Sequence, residues 1–241
     1  MYLVAIIIAE LVTTYSDPLW GIGLHTAILI AIIIHATIIE EKPRRNFILS
    51  LAIVPLIRIL SLVMPLVDIP QIWWLPIVYV PILAAAIVLV RILGYTPREV
   101  GFTFHFTKFQ LLIGILGIPL GILEYLIIRP EPWVTELTLQ AAWLPAVLML
   151  LTTGVVEEYV FRGILQKSAT DYLKIRGIIY VSIIFAVLHM GFQSFLDIVF
   201  VFAIALFFAW VVRRSGSLLG VILCHGFANI MLFIVAPFTI S

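Results

Sequence analysis

Residues 144–165 read LPAVLMLLTTGVVEEYVFRGIL. From Leu144 to Val156 no residue is charged. At about 1.5 Å per residue the run rises roughly 33 Å as a helix, close to the ~30 Å hydrocarbon core of a bilayer. It lacks the polar/apolar alternation that a strand of a membrane barrel requires. Inside lipid every backbone polar group must be satisfied within the segment, so a helix is the solution. Glu157 and Glu158 fall within the run rather than after it, because Tyr159, Val160 and Phe161 continue it.

The rest of the 241 residues agrees with that stretch. Hydrophobic residues make up 63% and charged ones 11%, and mean hydropathy is +1.22. Soluble domains carry about 25% charged residues. The deficit excludes an ordinary soluble enzyme and a disordered chain. A net charge of +1 gives no electrostatic attraction for nucleic acid. The single cysteine, Cys224, excludes a disulfide framework and a cysteine-rich metal site, and reads as a small buried hydrophobe.

Eight spans of suitable length follow: Leu19 to Ile39, Asn46 to Leu66, Ile72 to Leu93, Phe109 to Ile128, Leu137 to about Leu165, Gly177 to Phe192, Phe195 to Val212, and Leu218 to Pro237. The fold class is therefore all-α: a polytopic transmembrane bundle forming one integral-membrane domain over 1–241. Tyr2 to Val12 is apolar but short, and Glu10 interrupts it. Without a basic flank or a small-residue cleavage site it is not expected to be a cleaved signal peptide. It is either a ninth crossing or a half-inserted helix. Twelve of the fourteen Lys and Arg residues fall in loops on one side of this map, leaving only Arg58 and Arg129. The positive-inside rule makes that side cytoplasmic. Trp73, Trp74, Trp133 and Trp143 fall near the opposite interface, where an aromatic belt belongs. The longest connector on the basic side, Gly94 to Lys108, reads as a turn and a short amphipathic piece, with His105 in a loop. No internal repeat is evident, and prolines within the spans predict kinks.

An ionisable group in the bilayer centre costs roughly 2.5–3.5 kcal/mol on insertion scales, so each needs a partner or a use. Glu158 and Arg162 are four apart on one helix face and can neutralise each other. Glu157 points about 100° away and has no such local partner. The next span offers Phe185 and His189 at the same spacing, and the last offers His225 and Asn229, with Gly226 and Ala228 leaving room beside them. Solvated acids at a helix end, a structural histidine and interhelical hydrogen bonding would each explain one of these in isolation. One unpaired Glu, two His and one Asn on three spans are harder to explain as packing. Counting helical rise brings Glu157, His189 and His225 to a common depth, in a cavity expected to open on the cytoplasmic side. His25 and His35 share a face and are expected to be structural. Glu124 and Arg58 are expected to pair between spans, and Asp197 to cap a helix start. No Gly-x-Ser-x-Gly or His-Glu-x-x-His pattern occurs, which disfavours rhomboid-like serine and zincin-type chemistry.

Glu-Glu-x-x-x-Arg, Phe-x-x-x-His and His-x-x-x-Asn, in that order on successive helices, resemble the motifs of the CPBP family of intramembrane proteases. That family includes the Ras-converting type of CaaX prenyl endopeptidase and the bacterial Abi-type immunity proteins. The resemblance covers roughly 137–237; the N-terminal half is similar only in being hydrophobic. It implies an intramembrane endopeptidase acting on a membrane-associated or lipidated polypeptide, with a prenylated CaaX tail as one version. It implies that Glu157 activates a water, that His189 orients it and moves a proton, and that His225 and Asn229 form an oxyanion hole. Glu158, Arg162 and Phe185 would support them. The chemistry is self-consistent: amide hydrolysis needs a base, a proton donor and an electrophilic stabiliser, and a poorly solvated carboxylate is a stronger base than one in water. The resemblance favours no cofactor. Zinc held by Glu157, His189 and His225 with an open position is the alternative. Two other classes stay open: a non-catalytic membrane binding or immunity protein, and a transporter, which would want repeats or broken helices in both halves.

Overall fold

The computed structural model describes residues 1–64, 66, 68–103 and 107–240. Among them the chain is helical throughout, in nine segments: α1 Tyr2–Tyr15, α2 Pro18–Thr37, α3 Lys42–Val63, α4 Gln71–Leu93, α5 Lys108–Ile128, α6 Leu139–Leu173, α7 Arg176–Phe192, α8 Phe195–Ser215 and α9 Leu219–Thr239. Seven are long and apolar enough to cross a bilayer; α1 and α7 are shorter. This is a multi-pass membrane bundle with one span fewer of full length than the eight expected. The difference is α7, whose 17 residues rise only about 25 Å. His105 and the end of the amphipathic piece after Gly101 lie outside the described residues.

Helix ends follow local chemistry. Asp17 caps α2 by accepting the Leu19 amide at 2.8 Å, with Pro18 at the first helical position, where its missing N–H costs nothing. Gly94 closes α4 at φ 74°, a conformation that a Cβ would strain. Ser194, not Asp197, caps α8: its hydroxyl accepts the Asp197 amide at 3.2 Å. Asp197 sits one turn inside, fully buried, with neither carboxylate oxygen partnered among the described residues.

The bundle is tied by close backbone approach and by polar side chains. Gly117 and Gly121, one turn apart on α5, lie against the carbonyls of Cys224 and Ala228 on α9, and a Cβ at either position would collide with them. Small residues at this spacing let membrane helices pack closely. On the same interface the Gln110 side chain accepts the Gly220 amide at 2.6 Å. Asn46 donates to the Leu93 carbonyl at 3.0 Å, fixing α3 to the end of α4. Cys224 is buried and free.

Helix α1 returns antiparallel along α2: the Tyr2 hydroxyl donates to the Ala31 carbonyl at 3.2 Å, and Thr13 meets Gly21 near the other end. Its 14 residues rise about 21 Å, short of the ~30 Å hydrocarbon core. Glu10 has a specific use. It is fully buried and takes the Arg58 guanidinium in a two-pronged contact at 2.8 and 2.6 Å, with His25 Nε2 at 3.2 Å. Arg58 therefore pairs with Glu10, not with Glu124 as expected. The bidentate geometry is the stronger arrangement, and α1 brings it within reach. His25 and His35 are structural as expected; His35 meets the Tyr2 hydroxyl at 3.0 Å.

Removing one member of a buried ion pair leaves its partner uncompensated, a loss of about 3 kcal/mol or more. Glu10→Gln is expected to lower the thermal midpoint of the protein in detergent markedly. The double variant with Arg58→Met should recover part of the loss.

Candidate active site

The two glutamates lie where α6 departs from α-helical winding. Leu150–Glu157 and Tyr159–Leu165 are π-helical, a local winding that recurs at functional sites. The i,i+4 pair survives this: Arg162 donates to Glu158 Oε1 at 2.9 Å, with both side chains almost wholly buried. The same oxygen lies 2.7 Å from Nδ1 of His225 on α9. Glu158 thus holds an arginine and a histidine together, and it orients His225 by its Nδ1. The Arg162 guanidinium also lies 4.1 Å from the centre of the Phe185 ring, a favourable place for a cation with little access to water.

With Nδ1 engaged, His225 presents Nε2 to Glu157, whose Oε2 is 3.8 Å away. Glu157 Oε1 accepts a hydrogen bond from the Tyr79 hydroxyl on α4. Sequence alone gave Glu157 no partner. Tyr79 carries no signal that would have found it, being one aromatic among the apolar residues of its helix.

His189 is fixed by the way α7 ends. The last turn tightens, and the His189 amide donates to the Ala186 carbonyl at 3.0 Å. The Phe185 carbonyl is left for the His189 ring, whose Nδ1 is 2.8 Å away. A carbonyl only accepts, so Nδ1 carries a proton, and in the neutral ring Nε2 keeps its lone pair. The neighbouring Leu188 carbonyl accepts Arg58 at 2.8 Å, so the Glu10–Arg58 brace ends one residue from His189. The Phe185 ring also stands edge-on to His225, with centroids 5.9 Å apart.

Glu157, His189, His225 and Asn229 line one cavity of about 370 Å³. Asn229 sits one turn beyond His225 on α9 and has no hydrogen bond among the described residues, so its amide can meet a bound group. Tyr79, Arg58 and Glu124 line the same cavity. Glu124 was visible as a lone acid within a span, but its assignment to Arg58 concealed its place here. Trp74 and Trp133 turn inward as lining, whereas Trp73 and Trp143 are about half exposed, at 47% and 55%, as a belt requires. Among the described residues no three His, Cys, Asp or Glu side chains are grouped to hold a metal.

The cavity lining runs from His225 to Phe233 on α9, from Trp74 to Ile82 on α4 and from Ile57 to Ser61 on α3, and adds Leu66 and Trp133 from the connections at the far ends. His225, six residues into α9, and Val160 and Phe161, beyond Glu157 on α6, complete the lining toward the basic-loop side.

Residues 139–231 match the family model of Rce1-like proteins, described as Type II CAAX prenyl endopeptidase Rce1-like. The family resemblance carried by the three motifs holds over that segment, and the match supports an intramembrane protease of the CAAX type. No curated protein and no solved structure matches the chain.

A hydrogen bond to an ionised group is worth about 1.5–3 kcal/mol, or roughly tenfold or more in an equilibrium or rate. Tyr79→Phe removes the hydroxyl that meets Glu157 and keeps the ring. Turnover of any cleaved substrate is expected to fall about tenfold with the fold intact by circular dichroism.

Proposed function

We propose that the protein is an intramembrane endopeptidase that hydrolyses a membrane-associated polypeptide with a glutamate-activated water. The observation that carries this is the pairing of two tethered imidazoles with one glutamate in a single cavity. Each histidine is held by Nδ1, and each leaves Nε2 for the reaction.

Water bound between Glu157 and His189 donates one hydrogen to the carboxylate and the other to the His189 Nε2 lone pair. Glu157 takes its proton as the oxygen adds to the scissile carbonyl carbon. The carbonyl π pair moves onto oxygen, and the oxyanion meets the Asn229 amide and the Nε2–H of His225 in its imidazolium form. His225 in that form keeps both N–H groups in use, one on Glu158 and one on the oxyanion. It also balances two carboxylates with two cations, counting Arg162. Glu157 then returns its proton to the departing nitrogen as the C–N bond breaks, leaving an amine and a carboxylic acid. No covalent intermediate forms, and no placed serine or cysteine is needed. Preorganised donors in a site with little water supply most of the transition-state stabilisation.

The CAAX tail is the substrate type that the family match supports; the cavity adds that the cleaved segment is apolar. No metal enters the proposed mechanism.

General base catalysis contributes about 10²–10⁴-fold. Glu157→Gln and His189→Ala should each lose activity on that scale in reconstituted protein assayed with a fluorogenic peptide. Activity should persist in strong chelator, with no stoichiometric metal by elemental analysis. Full function in Glu157→Gln would instead identify a binding protein.

A further inference from the structure

We infer that a cleft on the basic face of the bundle binds a phosphate group that has no cation of its own, as an anionic phospholipid headgroup carries it. The cleft measures about 350 Å³ and shares no lining residue with the Glu157 cavity, so the inference stands apart from the protease reading. It lies between the connection after α4, the C-terminal ends of α6 and α8, and the turn into α7. Among the described residues its lining holds five basic side chains, Arg98, Arg162, Lys167, Lys174 and Arg213, and one acidic, Glu99. Two of the five are neutralised within the protein. Arg162 is paired with Glu158 at 2.9 Å, and Lys167 meets both carboxylate oxygens of Asp171 at 2.7 Å. The other three are not. Lys174 donates to the Asp171 backbone carbonyl at 2.9 Å, which leaves its charge uncompensated. The exposed guanidinium groups of Arg98 and Arg213 have no hydrogen bond or ion pair among the described residues. Glu99 is held on its own turn, accepting the Thr96 amide and hydroxyl at 2.8 Å each. Three uncompensated cations and one acid leave the cleft with two positive charges in excess.

The residue types name the anion. Guanidinium forks match the oxygens of a phosphate in pairs, and an ammonium adds a point charge. The inner wall is formed by Arg162 and Gln166, both buried. Gln166 spends its Nε2 on the Ala209 carbonyl at 3.0 Å. Its Oε1 and the Nη2 of Arg162 have no partner among the described residues. Unpartnered buried polar atoms are costly, and here they leave a donor for a phosphate oxygen and an acceptor for a headgroup hydroxyl. Apolar surface next to the cleft favours a lipid as the carrier. Ile175 is exposed on the cleft wall, and Ile179, one turn further along α7, is exposed as well. Acyl chains can lie against them while the headgroup sits among the cations, as basic pockets between membrane helices allow. A zwitterionic headgroup carries the same phosphate but brings its own ammonium against the excess positive charge.

The test is a titration of the full chain, stripped of lipid in a neutral detergent and followed by native mass spectrometry. The probes are phosphatidylglycerol, phosphatidylcholine of the same chain length, and inorganic phosphate at constant ionic strength. One phosphatidylglycerol is expected to bind at least tenfold more tightly than phosphatidylcholine. Arg98→Gln and Arg213→Gln should each weaken that binding about tenfold, the loss of one charge-assisted contact, with the thermal midpoint unchanged because both side chains are exposed. Arg44→Gln, an exposed cation of the same face outside the cleft, should leave it unchanged. The phosphate arm separates the sources. Phosphate binding that depends on Arg98 and Arg213, without preference between the two lipids, supports the site and assigns it to the free ion. Equal binding of the two lipids with no bound phosphate overturns the inference. So does an equal loss in Arg44→Gln, which would mark diffuse surface charge, or unchanged binding in the double variant of Arg98 and Arg213.

Discussion

A charge taken out of water must find its opposite, and in this bundle that demand falls first on Glu158. Its Oε1 lies 2.9 Å from the Arg162 guanidinium and 2.7 Å from His225 Nδ1. The contact therefore joins α6 to α9, and it joins the structural ion pair to the candidate site. An isolated carboxylate at this depth would be strongly unfavourable. Two donors on Oε1 offset part of that penalty, Oε2 being buried without a hydrogen-bond partner among the described residues, and Glu157, its neighbour in sequence, is left to face the cavity. The adjacent acids divide the work because they point in different directions from one helix.

A second brace comes from the part of the chain outside the family match. Glu10 on α1 holds Arg58 on α3, and Arg58 holds the Leu188 carbonyl beside His189. Tyr79 on α4 meets Glu157. The N-terminal half is thus more than a hydrophobic jacket. It supplies a hydrogen-bond donor to the proposed base and fixes the end of the helix that carries His189. It also contributes much of the cavity wall.

Much of this was legible beforehand for simple reasons. Span positions depend on composition over about 20 residues, which lipid enforces segment by segment. The short helix α7 stands where hydropathy puts it but ends in a tightened turn that hydropathy does not register. The motif residues stood out because polar groups in lipid are costly. Partners were less legible. Arg58 was assigned to Glu124 because both are isolated charges, but the choice depended on α1 folding back along α2. Asp197 was read as a cap although Ser194 stands three residues before it, where the hydroxyl reaches the amide.

The sequence by itself determined that the chain is a helical membrane bundle, which face carries the positive charge, and which few polar residues demand an explanation. Each of these follows from local composition acting against a fixed solvent. Only the tertiary structure decided that Glu158 holds His225, that Tyr79 meets Glu157, and that Arg58 and Glu124 line the same cavity as Glu157. These depend on which helix faces lie together. In the bilayer that is settled by close packing at sites such as Gly117 and Gly121, where a glycine lets α5 rest against the carbonyls of α9, and not by hydrophobicity, which is nearly uniform along every span.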